Sequence, residues 1–161
     1  MPRLLNNATT IPRLIGFYQN PFHNSTSTSP VLPSSVEAIS FILELNDGLR
    51  GHNGTVHGGM ICSMLDEAMT EFLVHGLVLN RQAKAEGLIP KDAEEVRGGV
   101  TASLNVKFLR PLLTPAVVLI KATLEQKEGG KMSLRAVIVD QYGEEHTTCT
   151  ALFIDLTKSV L

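Results

Sequence analysis

Residues 52–68 read HNGTVHGGMICSMLDEA, and this stretch decides how the rest of the chain is interpreted. Its first eight residues contain three glycines and two histidines, and an apolar segment with helical spacing follows directly. A helix with a purely structural role is better begun by a Ser or Asp cap and continued by an apolar inner face. The stretch therefore indicates either a tight helix cap or a catalytic site.

The spacing after the glycines predicts one long helix from Gly58 to about Leu79, since no proline interrupts this segment. At ~100° per residue, five apolar residues fall on one arc of the helix. They are Ile61, Met64, Leu65, Ala68 and Phe72. Asp66 lies on the flank of this arc, beside Cys62, so its burial depends on what covers that side of the helix.

Strand patterns lie on both sides of the predicted helix. Alternation with a period of two predicts one strand before the helix and four after it. The predicted strands are residues 36–45, 101–108, 116–128, 131–140 and 144–156. Residues 80–99 are charged and broken by glycine and proline, which indicates a surface excursion. Segregated elements of this kind are typical of an α+β fold whose antiparallel sheet curls around the helix.

The composition excludes several classes of protein. A length of 161 residues suits one domain with a real core, and 43% hydrophobic with 19% charged residues argues against disorder. The net charge of −2 and the lack of a basic block give no reason to expect a nucleic acid or an anionic membrane surface as partner. No apolar run approaches the ~20 residues of a membrane span.

Cysteine usage and the N-terminus bear on localisation. Cys62 and Cys149 form no disulfide framework, so we expect an intracellular, reduced and cytoplasmic setting. Residues 1–35 are interpreted as an N-terminal extension of one domain over residues 36–161. The extension contains no acidic residue and two arginines, Arg3 and Arg13, so a mitochondrial transit segment is the alternative interpretation.

Three features together resemble the hotdog-fold acyl-CoA thioesterases of the PaaI and 4-hydroxybenzoyl-CoA thioesterase type. They are the loop ending in G-x-x-HGG, the acid Asp66 nine residues after His57, and the strand TASLNVKFLRP at residues 101–111. The resemblance covers residues 36–156. It implies a hotdog fold, an antiparallel β-sheet of about five to six strands wrapped around one long central helix. It also implies hydrolysis of an acyl-CoA to a free acid and CoA.

The resemblance assigns catalytic roles to four residues of this chain. Asp66 would act as nucleophile or as general base on water, and the Gly58 N–H would polarise the thioester carbonyl. Thr101 would orient the water or the acid, and His57 is the histidine of the turn. The first N–H groups of a helix are unpaired at the positive end of its dipole, and glycine lets a substrate approach them. One such donor can be worth ~3–4 kcal/mol in the transition state.

The residues assigned to substrate binding are Gly59, His52, Asn53, Arg110 and Lys131, of which the last two would contact the CoA phosphates. Many relatives carry Asn or Gln six residues before the histidine, where this chain has Gly51. His52 or Asn53 would then have to supply the second donor to the carbonyl.

The resemblance further implies a homo-oligomer, either a dimer or a dimer of dimers, in which active sites are shared between subunits. Gly58 would come from one chain, and Asp66 with Thr101 from the other. No metal or redox cofactor is expected. His52, His57, Cys62 and Asp66 match no zinc spacing.

Plainer interpretations stay open at this stage. Gly58 and Gly59 also suit a tight turn under a strand, while Asp66 or its neighbour Glu67 suits a solvent-facing helix acid. Strand alternation groups Thr101 with the polar residues Ser103, Asn105 and Lys107. Cys62 is an alternative nucleophile. The alternative functions are a hotdog enoyl-CoA hydratase or dehydratase and a non-catalytic acyl-CoA-binding hotdog domain.

Overall fold

The computed structural model describes residues 7–18, 38–92 and 98–155. Its strands are β1 (Arg13–Tyr18), β2 (Ala38–Leu45), β3 (Val100–Phe108), β4 (Ala116–Glu128), β5 (Lys131–Asp140) and β6 (Glu145–Ile154). The helix α1 (Gly58–Ala85) lies between β2 and β3, after two short 3-10 turns at Asp47–Leu49 and His52–Gly54. The domain boundary predicted after residue 35 lies outside the described residues.

The six strands form one antiparallel sheet in the order β1-β2-β4-β5-β6-β3. Helix α1 lies against one face of this sheet and contacts β2, β3, β4 and β5. Its buried apolar residues include the whole predicted arc, namely Ile61, Met64, Leu65, Ala68 and Phe72. Alternate residues of the central strands fill the opposite side of the core, as in Ile39, Phe41, Leu43 and Leu45 of β2. The predicted hotdog architecture is confirmed.

The helix continues further than the sequence predicts. Residues 80–85 are helical, so the prediction of a surface excursion is wrong for these residues. The segment NRQAKA consists mainly of good helix formers, and Asn80 and Ala83 are buried. Tertiary packing therefore extends the helix through a segment whose charge and following Gly87 suggest a loop.

The described part of the N-terminal extension is packed against the domain. Strand β1 pairs with β2 from Arg13 to Tyr18, and Ile11 is fully buried in the core. The carbonyl of Thr9 accepts a hydrogen bond from the Gly48 N–H at 2.7 Å. Residues 7–18 thus contribute an edge strand and a core side chain.

Strand β3 is the other edge of the sheet, and a β-bulge changes which of its residues face the helix. Its pairing with β6 shifts by one residue between Thr101 and Ser103, which places Thr101 opposite the buried Phe153. An extra residue of this kind reverses the two faces of a strand. The residues that share the face of Thr101 are Leu104, Val106 and Phe108. The predicted grouping of Thr101 with Ser103, Asn105 and Lys107 is therefore wrong.

We expect Ile11→Ala to lower the free energy of unfolding by about 2–5 kcal/mol, because it leaves a cavity in the core. The matched control is Ile15→Ala on the same segment, where the side chain is 63% exposed and the expected loss is below ~0.5 kcal/mol. Urea titrations of the full chain measure both values. Equal, small losses would show that residues 7–18 do not pack on the domain.

Candidate active site

Helix α1 begins with a histidine cap. His57 is the N-cap, with φ −60° and ψ 130°, and its Nδ1 accepts a hydrogen bond from the Gly59 N–H at 3.1 Å. The His57 carbonyl accepts from the N–H groups of Met60 and Ile61 at 2.9 and 3.1 Å. Among the described residues, nothing pairs with the Gly58 N–H, the first of the helix. The turn therefore caps the helix and still presents one donor at the positive end of its dipole.

The two glycines of this turn have different surroundings. A Cβ at Gly59 would lie 3.2 Å from the His57 ring, which is tighter than ordinary contact and would disturb the cap. A Cβ at Gly58 would lie 3.5 Å from the Phe108 ring, an ordinary contact distance. Packing within the chain thus does not demand glycine at position 58. The missing side chain instead leaves the Gly58 N–H open to an incoming oxygen atom.

Asp66 and Thr101 are brought together on the flank of the helix that faces β3. The Thr101 hydroxyl donates a hydrogen bond of 2.7 Å to Asp66 Oδ1, and both residues are half-buried. The contact depends on the bulge in β3, because without it Thr101 would point to the other face of the sheet. The hydroxyl fixes one carboxylate oxygen, while Oδ2 has no hydrogen-bond partner among the described residues.

Within one chain, Asp66 and Thr101 lie far from the N-terminus of the helix. Asp66 follows Gly58 by eight residues on a continuous helix, which corresponds to ~12 Å along the axis. A carbonyl bound at the Gly58 N–H is therefore out of reach of the Asp66 carboxylate of the same chain.

The loop before the turn leaves no room for the amide side chain that many relatives carry. A Cβ at Gly51 would lie 3.0 Å from His57 Cα, so a larger residue would displace the turn. His52 and Asn53 are exposed, and Asn53 adopts a left-handed conformation with φ 52°. In the described part of the chain, neither of these side chains is hydrogen-bonded to the turn.

A cavity of about 370 Å³ opens beside Gly58. Its lining comes from the loop before α1, the first helical turn and the segment after β3, and consists of Thr55, Val56, Gly58, Ile61, Phe108, Leu109, Arg110, Pro111 and Leu112. Arg110 thus lies at the helix N-terminus. Phe108 is absent from the residues assigned from sequence, although the cluster of large apolar residues around Arg110 is a signal that could have found it.

Lys131 is not brought to this cavity. It begins β5 at the other end of the sheet. There it pairs with Ile154 of β6, which pairs on its other side with Val100 of β3. Thr101 pairs instead with Phe153, and Phe153 pairs on its other side with Met132 of β5. Since successive residues point to opposite faces, Lys131 lies on the face away from the helix.

Of the other candidates on the helix, Cys62 is a half-buried free cysteine, and it lies near a second thiol, Cys149 of β6. Burial raises the pKa of the Cys149 thiol to about 11, and the neighbouring Cys62 and Asp66 add to the rise, so Cys149 stays a neutral thiol. Glu67 is half-buried on the flank opposite Asp66, where the sequence suggests a solvent-facing acid. It lines a cavity of about 290 Å³ with Leu14, Gly16, Phe41, Ala68, Glu71 and His75.

Known proteins are similar to this chain in sequence. The family model described as Thioesterase superfamily matches residues 53–146. Verlamelin biosynthesis protein B of Lecanicillium sp. is 31% identical over 169 aligned residues, which cover 93% of this chain and 69% of that protein. Acyl-coenzyme A thioesterase THEM4 of Rattus norvegicus is 31% identical over 111 residues, which cover 67% of this chain and 39% of that protein. The chain therefore spans only about two-fifths of the length of THEM4.

A solved structure extends the comparison to the fold. The E. coli PaaI protein from the phenylacetic acid degradation operon superposes with a TM-score of 0.56 at 14% identity, over 74% of this chain and 76% of that chain. The chain belongs to the thioesterase superfamily and is a thioester hydrolase. Among the described residues, no helix is both long and apolar enough to cross a membrane.

We expect His57→Ala to lower the free energy of unfolding by about 1 kcal/mol, because the Gly59 N–H loses its capping acceptor. His57→Asn supplies another side-chain acceptor at the N-cap and should recover most of this loss. Thermal and urea unfolding measure both variants. If His57→Asn is as unstable as His57→Ala, the ring stabilises the turn by some means other than capping.

Proposed function

We propose that the chain hydrolyses acyl-CoA thioesters to a free carboxylic acid and CoA. The observation that carries the proposal is the Gly58 N–H, which has no partner among the described residues and lies at the start of a 28-residue helix, beside an open cavity. The similarity to the acyl-coenzyme A thioesterase THEM4 supports CoA as the thiol part of the substrate.

The Gly58 N–H supplies the electrophilic half of the site. Attack on a thioester carbonyl places negative charge on its oxygen, and a fixed donor at the positive end of a helix stabilises that charge. The donor is already oriented, because His57 holds the first turn through Gly59 and through its own carbonyl. Arg110 at the edge of the same cavity offers a guanidinium group to a CoA phosphate.

Asp66 supplies the other half. Its carboxylate either attacks the carbonyl carbon or takes a proton from the water that attacks. Thr101 holds Oδ1 at 2.7 Å and so sets the direction of the second oxygen. Both routes need Asp66 ionised and close to a carbonyl that is bound at a Gly58 N–H.

The site is completed by a second copy of the chain, because a single chain separates the two halves by ~12 Å. Strand β3 is an unpaired edge in the described sheet. Apolar residues near it are exposed, including Leu104 at 38%, Phe108 at 54% and Leu113 at 60%. An edge of this kind is suited to pairing with another strand.

Antiparallel pairing of two β3 edges about a two-fold axis puts the Phe108 end of one strand beside the Thr101 end of the other. Gly58 is close to Phe108, and Asp66 is bonded to Thr101. The pairing therefore brings Gly58 of one subunit to Asp66 and Thr101 of its partner, and each dimer has two equivalent sites. A dimer or a dimer of dimers contains this unit.

The test is thiol release from acetyl-, hexanoyl-, palmitoyl- and phenylacetyl-CoA by wild type, Asp66→Asn and Glu67→Gln. We expect Asp66→Asn to lower kcat by roughly 10²- to 10⁴-fold, because an amide can neither attack nor accept the proton. Glu67→Gln is the matched control: it changes the next residue of the same helix, on the flank that lines the other cavity. Its kcat should stay within about twofold of wild type.

Equal loss in the two variants, with both folded, would contradict the assignment of Asp66. A change in double-bond absorbance without CoA release would indicate a hydratase or dehydratase. Binding of CoA esters without either reaction would indicate a binding domain.

A further inference from the structure

His146, near the start of β6, is a buried histidine whose two ring nitrogens both face oxygen atoms. It is 8% exposed. Nδ1 lies 3.0 Å from the Pro111 carbonyl oxygen, and Nε2 lies 3.2 Å from Asp140 Oδ2. The pairing of β5 with β6 shifts between Ile138 and Val139, which makes His146 the extra residue of a bulge. The bulge therefore aims the ring away from the regular ladder.

The partners of this ring act only as acceptors. Pro111 offers a carbonyl, and Asp140 is held as a carboxylate, because its Oδ1 accepts from the N–H groups of Glu144 and Tyr142 at 2.9 Å each. These bonds, foremost the one from Glu144, lower the pKa of Asp140. A neutral imidazole has one N–H, so only the doubly protonated ring donates to both oxygens.

The other charged groups around the ring are few in the described structure. Arg110, on the segment after β3, donates from Nη1 to the Glu145 carbonyl at 3.1 Å. Glu144 lies in the turn before β6, and Glu145 is the first residue of β6. Asp140 and Tyr142 belong to the same turn region, while Lys131 and Arg135 lie further along β5 and Lys107 lies on β3.

The segment that His146 holds leads directly to the helix N-terminus. We call residues 109–114 the strap. The N–H groups of Leu109 and Arg110 donate to the His146 carbonyl at 2.8 and 3.2 Å. At its other end, the Leu112 carbonyl accepts from the Val56 N–H at 2.8 Å.

The strap also reaches the loop before the turn through its last residue, since the Thr114 N–H donates to the Gly54 carbonyl at 3.1 Å. Strap residues and the loop together wall the cavity beside Gly58. The His146 ring is thus linked to that cavity through the strap, and within the described structure Pro111 is the cavity residue to which the ring is hydrogen-bonded.

We propose that His146 is a positioning residue, which as an imidazolium between Asp140 and Pro111 holds the strap in the place that substrate binding beside Gly58 requires. Loss of the ring proton as the pH rises frees one end of this link and weakens binding. The inference rests on the proposed function, because it takes the cavity beside Gly58 as the place of the thioester.

The test compares the pH dependence of KM and kcat in wild type, His146→Gln and Asp140→Asn. As the pH is raised from acidic to alkaline, we expect the wild-type KM to rise about three- to tenfold while kcat changes less. His146→Gln has no ring to titrate, so its KM should lie near the high-pH value of wild type throughout, apart from changes that all variants share.

Asp140→Asn is the sharper variant. Its amide oxygen can keep the two turn hydrogen bonds, while its amide NH₂ faces Nε2 and pairs with the neutral ring. The rise of KM with pH should therefore be smaller than in wild type, because the neutral ring keeps a partner at high pH. A KM profile in His146→Gln that follows wild type, or a profile in Asp140→Asn that is unchanged from wild type, would overturn the proposal.

A readout without catalysis separates this inference from the proposed function. The protection factor of the Val56 N–H, measured by amide hydrogen exchange, reports the strap anchor directly. It should fall as the pH rises in wild type and stay level in His146→Gln. If no CoA ester is cleaved and this difference is present, the proposed function fails and the link holds. If the protection factors match in both proteins, the link is overturned.

Discussion

The constraint on which the proposed site depends is that both of its halves lie on one continuous, well-packed helix. Helix α1 is bound along one face of the sheet, so the ~12 Å between Gly58 and Asp66 cannot close by bending. Chemistry that needs both groups must take them from two copies of the helix. The exposed edge of β3 provides the surface along which two copies can meet with opposite direction.

The electrophilic half of the proposed site is held in place by its surroundings as much as by its own residues. His57 caps the helix with its ring, and Gly51 lets the loop pass close to His57 Cα. The strap then anchors the loop through Leu112 and Thr114. A donor stabilises a developing charge most when it needs no reorganisation, and this network fixes the Gly58 N–H before any substrate arrives.

Much of the fold could be predicted from the sequence because its signals are local. A period of 3.6 marks the start and the buried face of α1, and a period of 2 marks five of the six strands. The end of the helix was not predictable in this way, because burial of Asn80 and Ala83 extends it through a charged segment. Strand β1 is short, and its pairing with β2 is a long-range contact that leaves no period of its own.

The candidate site was likewise only partly predictable from the sequence. The spacing from His57 to Asp66 and the two glycines are visible in the sequence, whereas the position of Thr101 depends on a bulge that strand alternation cannot reveal. The prediction that Thr101 shares a face with Ser103, Asn105 and Lys107 was wrong for that reason. His146 gives no sequence signal either, because its role comes from Pro111 and Asp140, which lie 35 and 6 residues away.

The most direct test of the account is complementation between two variants that each remove one half of the site. Gly58→Pro deletes the N–H at the first helical position, where proline is favoured and where the extended backbone of His57 already suits a following proline. Asp66→Asn removes the carboxylate that we propose to react. The two variants are unfolded together in urea, refolded at equal concentration and assayed for thiol release.

The account predicts that each variant alone is nearly inactive and that the mixture regains about a quarter of the wild-type activity, because half of the dimers are mixed and each of those has one complete site. A mixture no more active than the sum of its two components, while wild type recovers its activity after the same treatment, would contradict a site shared between subunits.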